Sequence, residues 1–217
     1  MISVVIPTMN EAEALPEVIR RVREAVPGCE IIIVDTRSTD GTPEKALELG
    51  CRVVDEPRRG YGRAYKTGFE KARGEIVVTL DADLTYPPEE IPRLVERLRR
   101  EGLDFLNTYR LHRRRSFTLI NYFGNLMLTA LMNLLFRTPF RDSQSGMWVL
   151  RREVLGRLRL TSDGMSFSEE IKIETWRAGL RVGEEPIAYS RRVGERKLNV
   201  LRDGVENALF LIKKFLS

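Results

Sequence analysis

The sequence predicts an α/β fold in which a mainly parallel, Rossmann-like sheet is flanked by helices. Short β-branched runs recur along the first half of the chain, and a stretch with apolar residues at helical spacing separates each run from the next. Strands and helices that alternate in this way form parallel sheets with right-handed crossovers. With 217 residues the chain can bury a substantial core, and we expect one domain over residues 1–217.

The first half of the chain supplies the alternating elements. Pro43 suits the first turn of the second helix and Gly50 its end. Units of this kind bring the carboxyl ends of the strands to one edge, where ligands of open α/β sheets bind. The predicted strands are 2–7, 31–35, 53–54 and 75–83, and the predicted helices are 12–26, 42–49 and, after a loop that begins at residue 60, a third that ends near 73.

The second half continues with elements of the same kinds. Ser168 is predicted to cap a helix that ends before Gly179. No linker or internal repeat separates the elements, in keeping with one domain. The others are a helix over 87–100, strands over 103–108, 147–150 and 180–187, and a final helix over about 199–216 with apolar residues at helical spacing.

Charge and composition narrow the range of functions. The net charge of +5 and the isoelectric point near 9.4 suit phosphate-rich ligands, an anionic membrane or nucleic acid. The arginine runs lack the interleaved aromatics that stack on bases, which argues against a nucleic-acid partner. His112 is the only histidine, which excludes multi-histidine metal sites and argues against a histidine-based catalytic triad. Cys29 and Cys51 lack zinc spacing, and without a signal peptide we expect reduced thiols in the cytoplasm.

Two carboxylates, Asp81 and Asp83, stand at the end of the predicted strand 75–83. Carboxylates this close repel each other, and a hard divalent cation such as Mg²⁺ or Mn²⁺ compensates for the repulsion and brings a phosphate-bearing substrate. Taken alone, Asp-x-Asp is more often a solvated turn at a strand end. The nearby Gly60-Tyr-Gly62 lacks the third glycine of a dinucleotide fingerprint, and fits either a phosphate-contacting loop or a plain helix start.

A largely apolar segment over 117–136 carries no charge and approaches the length that spans a bilayer. Polar residues recur along it at Asn121, Asn125, Thr129 and Asn133, which suits a helix on a surface better than one crossing lipid. With arginines beside it, the amphipathic segment of about 113–137 is predicted to contact an anionic membrane. The alternative is a core helix with hydrogen-bonded asparagines. The final helix either docks on the domain or also contacts the membrane.

Several motifs stand in the same order as in a known family. They are VVIPTMNE at 4–11, VD at 34–35 with STDGT at 38–42, the glycine-bearing segment 60–74, LDADL at 80–84 with PPE at 87–89, DSQSG at 142–146, and Gly194 with KL at 197–198. Together they cover nearly the whole chain. In this order they resemble the family-2 glycosyltransferases with the GT-A fold, and in particular the polyprenyl-phosphate (dolichyl-phosphate) mannosyl- and glucosyltransferases.

The resemblance implies roles for individual residues. Asp81 and Asp83 would hold Mg²⁺ or Mn²⁺ on the donor diphosphate, Arg110 would face the phosphates of donor and acceptor, and Glu170 would lie on the acceptor side, so that Asp83, Arg110 and Glu170 form the predicted catalytic set. Thr85 stands where relatives often have a metal-contacting glutamine. The remaining positions implied in nucleotide-sugar or phosphate binding are Pro7, Thr8, Glu11, Asp35, Ala82, Arg191, Arg192 and Lys197.

The activity implied by the resemblance is inverting, metal-dependent transfer of a hexosyl group from GDP-mannose or a UDP-sugar to a polyprenyl or dolichyl phosphate. The enzyme would be cytoplasmic and peripheral on the inner face of the membrane. An ionised acceptor phosphate needs positioning more than a general base, whereas a sugar hydroxyl, as in cell-surface glycan synthesis, would need Glu170 or Asp142 as base. The alternative outside enzymes is a non-catalytic nucleotide-sugar-binding module. A membrane-protein partner or a homo-oligomer stays open.

Overall fold

The computed structural model describes residues 1–111, 119–194 and 200–216, with the backbone alone at 119–121 and 200–201. These ranges contain seven strands, seven helices and two short 3₁₀ helices, at 88–90 and 152–157. The strands are β1 Ile2–Thr8, β2 Glu30–Asp35, β3 Arg52–Asp55, β4 Ile76–Thr79, β5 Phe105–Leu111, β6 Trp148–Arg151 and β7 Val182–Ala188; the helices are α1 Leu15–Ala25, α2 Thr42–Glu48, α3 Tyr61–Lys71, α4 Ile91–Arg100, α5 Leu119–Phe136, α6 Phe167–Arg177 and α7 Val200–Leu216.

All seven strands form one sheet in the order β3-β2-β1-β4-β6-β5-β7. Every neighbouring pair is parallel except those that β6 makes with β4 and β5, which confirms the expected mainly parallel α/β fold. Because β6 runs in the opposite direction, the turn that precedes it lies at the edge where β4 ends. The sheet therefore gathers the ends of β1, β2 and β4 and the turn over residues 142–147 at one side of the molecule.

The two faces of the sheet carry separate hydrophobic clusters. Alternate residues of β1 point to opposite faces, so Val4 and Ile6 pack with α1 and α4, while Val5 packs with α3, α6 and the inner sides of α5 and α7. The central strands are buried on both faces, which explains why their sequences are continuous apolar runs. Helix α6, with its acidic residues, and the C-terminal apolar helix α7 therefore lie on the same face of the sheet.

Three element boundaries differ from the prediction. The strand expected over 75–83 ends at Thr79; the chain then turns at the two aspartates, and Leu84 takes a left-handed conformation with φ of 64°. Ser168 does not cap α6; the N-cap is Ser166, two residues earlier, and Ser168 lies buried within the first turn. The helix expected over 87–100 starts as a 3₁₀ turn and becomes α-helical at Ile91.

Helix α5 turns its polar residues toward the protein. Thr129 is buried and its hydroxyl donates to Ser143, and the Asn133 amide donates to the carbonyl of Phe140. The helix therefore carries hydrogen-bonded polar residues on its inner side, as in the alternative interpretation. Asn121 lies outside the described side chains, and the arginines at 113–115 lie outside the described residues. Large apolar side chains are exposed on its outer side, namely Phe123, Leu126, Met127 and Leu134.

Helix α7 lies against α5 and extends the exposed apolar surface. The rings of Phe136 and Phe215 meet edge to face with centroids 6.0 Å apart, and Leu211 is fully buried. Within the described ranges, no helix is long and apolar enough to cross a membrane. The outward-facing apolar residues of α7 are Val205, Leu209, Ile212, Phe215 and Leu216.

Candidate functional site

A cavity of about 280 Å³ opens at the carboxyl ends of β1 and β4. Its position follows from the topology, because parallel strands present their carboxyl ends and the following loops at the same edge. Met165, from the loop before α6, and Tyr61, at the start of α3, close other sides of it. The predicted site residues that line this cavity are Pro7, Thr8, Glu11, Asp81, Ala82, Asp83 and Arg192.

Asp81 is the most perturbed carboxyl group in the cavity. It is half-buried, and the hydroxyls of Tyr61 and Tyr65 each donate to its Oδ1 at 3.3 Å. Burial, followed by the negative charge of Asp83, raises the pKa of Asp81 from 3.8 to about 7, against the opposing effect of Arg192. The fold therefore keeps a carboxylate where its charge is poorly compensated by the protein alone.

Asp83 is held by its own turn. The backbone N–H and the hydroxyl of Thr85 donate to its Oδ1 at 3.1 and 2.5 Å, which leaves Oδ2 directed toward Arg192 at 3.4 Å. This is an aspartate turn in which the side chain binds the backbone two residues on. Thr85 thus orients the carboxylate in this structure.

The two aspartates fit a hard divalent cation. Both offer carboxylate oxygens, the ligands that Mg²⁺ and Mn²⁺ prefer, and the raised pKa of Asp81 marks unbalanced negative charge. Among the described residues, no group of three or more acidic, histidine or cysteine side chains is placed so that it could hold a metal ion by itself. The protein would hold the ion through two carboxylates, and a substrate phosphate would supply further oxygens, as is common for Mg²⁺.

Arg192 brings a positive charge to the same cavity. Its Nη2 donates to Glu11 at 2.7 Å, while its Nε is buried without a hydrogen-bond partner. The segment that carries it is tied to the aspartate turn, because the N–H of Val193 donates to the carbonyl of Asp83 at 3.0 Å. A buried, unsatisfied guanidinium N–H beside an acidic pair is suited to an anionic ligand.

Asp35 lies beside this cavity at the end of β2. It is buried and accepts hydrogen bonds from the hydroxyl of Thr8 at 2.9 Å and from the backbone and hydroxyl of Ser38. A second cavity, of about 460 Å³, shares Glu11, Met9 and Arg59 with the first. The two cavities form neighbouring compartments on either side of Glu11.

Arg110 lies outside the cavity in this structure. It is buried, and its Nε and Nη2 make a two-pronged ion pair with the carboxylate of Asp142 at 2.7 and 2.9 Å. Burial alone would raise the pKa of Asp142, but the charge of Arg110 holds it below its ordinary value. The predicted catalytic arginine and one predicted base are thus bound to each other.

Glu170 also lies outside the cavity. It is fully buried and accepts hydrogen bonds from the N–H groups of Thr161 and Ser162 at 2.9 and 2.8 Å, and an ion pair from Lys214 of α7 at 2.8 Å. Arg191 is exposed and does not line the cavity. Lys197 lies outside the described residues.

The sequence analysis missed several residues of the site. Tyr61 and Tyr65 stand one helical turn apart on α3, and that spacing is the only sequence signal that both face Asp81.

Lys172 is fully buried, and its Nζ donates to the carbonyls of Ser143, Ser145 and Ser168. Burial lowers the pKa of Lys172 to about 7. Nothing local in the sequence distinguishes Lys172 from a solvated helix lysine.

Comparison with known proteins gives a consistent result. The family model for Glycosyl transferase family 2 matches residues 3–159. The chain is 34% identical to the low-salt glycan biosynthesis hexosyltransferase Agl6 of Haloferax volcanii, over 97% of the chain and 53% of that relative. It is 31% identical to a dolichyl-phosphate hexose transferase of the same organism, over 98% of the chain and 92% of that relative. The chain thus spans about half of the first relative and most of the second.

A solved structure shares the fold. Glucosyl-3-phosphoglycerate synthase from Mycobacterium tuberculosis, in complex with Mn²⁺, UDP and glucosyl-3-phosphoglycerate, superposes with a TM-score of 0.80 at 27% identity, over 99% of this chain and 79% of that one. Another crystal structure of that synthase, similar to this chain with a TM-score of 0.78, contains Mg²⁺ and UDP. The nucleotide in those complexes is bound together with a divalent ion.

Proposed function

Because the chain belongs to glycosyl transferase family 2, we propose that it transfers a hexosyl group, with inversion, from a nucleoside-diphosphate sugar to a polyprenyl monophosphate. The family match confirms the resemblance carried by the motifs and the expected enzyme class, a glycosyltransferase. The observation that carries the finer proposal is the meeting of Asp81, Asp83 and Arg192 in one cavity with Pro7 and Glu11.

The donor would occupy the two neighbouring cavities. The turn at Asp81 and Asp83, with Arg192 beside it, suits the diphosphate, while Asp35 and the residues after β1 suit the base and ribose. A UDP-hexose or GDP-mannose fits these requirements. The structurally similar synthase, which binds UDP with Mn²⁺, supports this assignment.

Mg²⁺ or Mn²⁺ held by Asp81 and Asp83 would neutralise charge that builds on the departing diphosphate. The protein's own contribution is orientation and further positive charge. Thr85 fixes Asp83, and Arg192 stands 3.4 Å from its second oxygen. A guanidinium placed before the reaction stabilises developing negative charge without having to reorganise.

The ion pairs made by the two candidate bases, Asp142 and Glu170, favour a phosphate acceptor. Asp142 is paired with Arg110, and Glu170 is buried beneath Lys214, so both carboxylates are engaged in ion pairs away from the cavity. An acceptor phosphate is already ionised near neutral pH, and its oxygen attacks without giving up a proton to a base. The resemblance to a dolichyl-phosphate hexose transferase supports the same class of acceptor.

The exposed apolar surface of α5 and α7 would lie on the membrane that contains such an acceptor. Phe123 and Met127 on α5 and Phe215 on α7 are exposed, and exposed apolar residues grouped on adjacent helices mark contact surfaces. Lys213 is exposed on the same helix and suits anionic lipid. The protein would then act as a peripheral enzyme on the cytoplasmic face.

The test is acceptor-dependent release of nucleoside diphosphate by the purified protein in mixed micelles. UDP-glucose and GDP-mannose are each supplied with Mn²⁺ or Mg²⁺, and the acceptor is a polyprenyl phosphate, the matching polyprenol or a free sugar. We expect turnover that requires the metal and the polyprenyl phosphate, with transfer of the sugar to that lipid. Turnover with the free sugar instead would replace the phosphate acceptor by a hydroxyl acceptor. Donor binding without transfer to any acceptor would favour a binding module.

A further inference from the structure

We propose that Glu170 is a positioning residue, which uses its ion pair with Lys214 of the last helix to fix one wall of the donor cavity. The inference rests on the proposed function for the identity of the donor, but the contacts that carry it do not. It assigns to Glu170 a role different from that of an acceptor-side acid or base. It also makes α7 a part of the donor site.

The carboxylate of Glu170 is fully engaged by the protein. The N–H groups of Thr161 and Ser162 donate to Oε2, and the hydroxyl of Thr161 and the ammonium of Lys214 donate to Oε1 at 2.7 and 2.8 Å. The residue is fully buried and does not line the cavity. A carboxylate that accepts these bonds holds a loop in place and is not directed at a substrate.

The loop that Glu170 holds packs directly on the start of α3. The N–H groups of Gly62 and Arg63 donate to the carbonyls of Gly164 and Asp163 at 3.3 and 3.2 Å. A β-carbon at Gly62 would stand 2.6 Å from the carbonyl oxygen of Ser162, so no side chain fits between loop and helix. The charged side chains of Arg63 and Asp163 add an ion pair at 3.1 Å.

The loop and the start of α3 both reach the cavity. Met165 follows the loop and lines the cavity, as do Gly60 and Tyr61. Tyr61 donates to Asp81 at 3.3 Å. A continuous set of contacts therefore leads from Glu170 through the loop and Tyr61 to one of the two metal-binding carboxylates.

Lys214 is the cation that pairs with the buried carboxylate of Glu170. Its side chain is 10% exposed, and it also pairs with Glu174 at 3.1 Å. A buried carboxylate that loses its partner cation is left with an uncompensated charge, which destabilises the structure around it. The segment that Glu170 holds through the Thr161 and Ser162 amides would then rearrange, so the loop would loosen. The docking of α7 on the domain is thereby linked to the donor cavity.

Hydrogen exchange tests the linkage without any ligand. We expect Lys214→Met to speed amide exchange in the 60–64 segment by about tenfold, the change for one lost charge-assisted hydrogen bond. The exchange rates in β1 and β2 should not change. Lys213→Met removes the exposed neighbouring charge and is the matched control. Faster exchange confined to α7 and α6, with 60–64 as in the wild type, would overturn the proposal, since Lys214 would then only anchor the helix.

Steady-state kinetics test the consequence for the donor. We expect Glu170→Gln and Lys214→Met each to raise the KM for the donor severalfold, with kcat falling less than KM rises, and the double variant to resemble either single one. Lys214→Arg should restore most of the wild-type KM. A large loss of kcat in Glu170→Gln alone, with Lys214→Met unaffected, would make Glu170 a catalytic base and overturn the proposal. If no sugar donor is turned over, the proposed function fails, and the exchange experiment still decides the linkage.

Discussion

Arg192 donates a hydrogen bond of 2.7 Å to Glu11, a residue 181 positions away in the sequence. The contact closes the segment after β7 over the turn after β1 and brings a guanidinium within 3.4 Å of Asp83. The cavity is therefore built by segments that lie far apart in the sequence. The predictions below follow from this arrangement and from the buried groups around it.

Arg192→Met should lower kcat/KM for the donor by about 10- to 100-fold, as expected for the loss of charge-assisted hydrogen bonds to a diphosphate. Arg192→Lys keeps the charge without the fork and should recover part of the loss. The measurement is nucleoside diphosphate release at varied donor concentration. Arg20→Met, on the exposed side of α1, is the control. Equal kcat/KM in the two methionine variants would mean that Arg192 does not contact the donor.

The double variant Asp81→Asn, Asp83→Asn should lose metal-dependent turnover by at least about 100-fold, because the ion that neutralises the leaving diphosphate loses both of its carboxylates. It should remain folded with an unfolding temperature at or above that of the wild type, since burial already disfavours the charge of Asp81. A Mn²⁺ titration of turnover checks the loss of activity, and thermal unfolding followed by circular dichroism checks the fold and the unfolding temperature. Turnover that still rises with Mn²⁺ would refute the assignment.

The buried carboxyl group of Glu169 should make the free energy of unfolding depend on pH. Burial raises the pKa of this carboxyl group from 4.5 to about 8, so the folded state holds a proton that the unfolded state releases above pH 4.5. This contribution to stability is present below pH 4.5 and is lost as the pH rises toward 8. Between pH 5 and 7 the stability of the wild type relative to Glu169→Gln should fall by up to about 1.4 kcal/mol per pH unit.

Urea unfolding at several pH values measures this difference. The exposed Glu153 provides the control, and the curve of Glu153→Gln should run parallel to that of the wild type. Curves for the wild type and Glu169→Gln that are also parallel between pH 5 and 7 would show that Glu169 does not carry the proton.

Gly62→Ala should destabilise the protein by about 1–3 kcal/mol, the usual cost of overpacking. Its β-carbon would meet the Phe167 side chain and the carbonyl oxygen of Ser162 at 2.6 Å. Gly164→Ala is the matched control, because its β-carbon would have nothing within 4 Å. Thermal unfolding compares the two. Equal unfolding temperatures would contradict the close packing of the loop on α3.

The apolar surface of α5 predicts binding to anionic liposomes. The wild type should float with them, whereas a variant with Leu126→Glu and Met127→Glu, at side chains 52% and 72% exposed, should not, because buried charge opposes insertion into the interface. Leu47→Glu, at a leucine of α2 that is 60% exposed, is the control. Failure of the wild type to float, or flotation of the double variant, would rule out α5 as the membrane contact.

The strands were predictable where burial on both faces makes them apolar throughout, as in β1 and β2. The end of β4 was not, because Leu80 and Ala82 after it are as buried as the strand itself. After it the chain forms a turn with a left-handed Leu84 and bonds from Thr85 to Asp83, which the local apolar pattern does not reveal. The antiparallel direction of β6 was also missed, since it depends on partners that a local pattern does not contain.

The site was predictable where neighbouring strand ends bring residues together, as for Pro7 and Asp81. It was not predictable on α6, where the acidic and basic residues look like a solvated helix face. Glu169, Glu170 and Lys172 are all fully buried, because α7 and the turn before β6 cover them. That cover comes from parts of the chain distant in sequence, so no window around α6 reveals it.

The ion pair between Glu170 and Lys214 has a consequence for synthesis on the ribosome. Chains emerge from the amino terminus onward, so β1 to β4 and the two aspartates are made well before residue 214. Until that lysine emerges, Glu170 lacks both its counterion and the cover that α7 provides, and the loop that it holds is unsupported. The newborn polypeptide would therefore complete the cavity at the two aspartates late, when α7 folds against the rest.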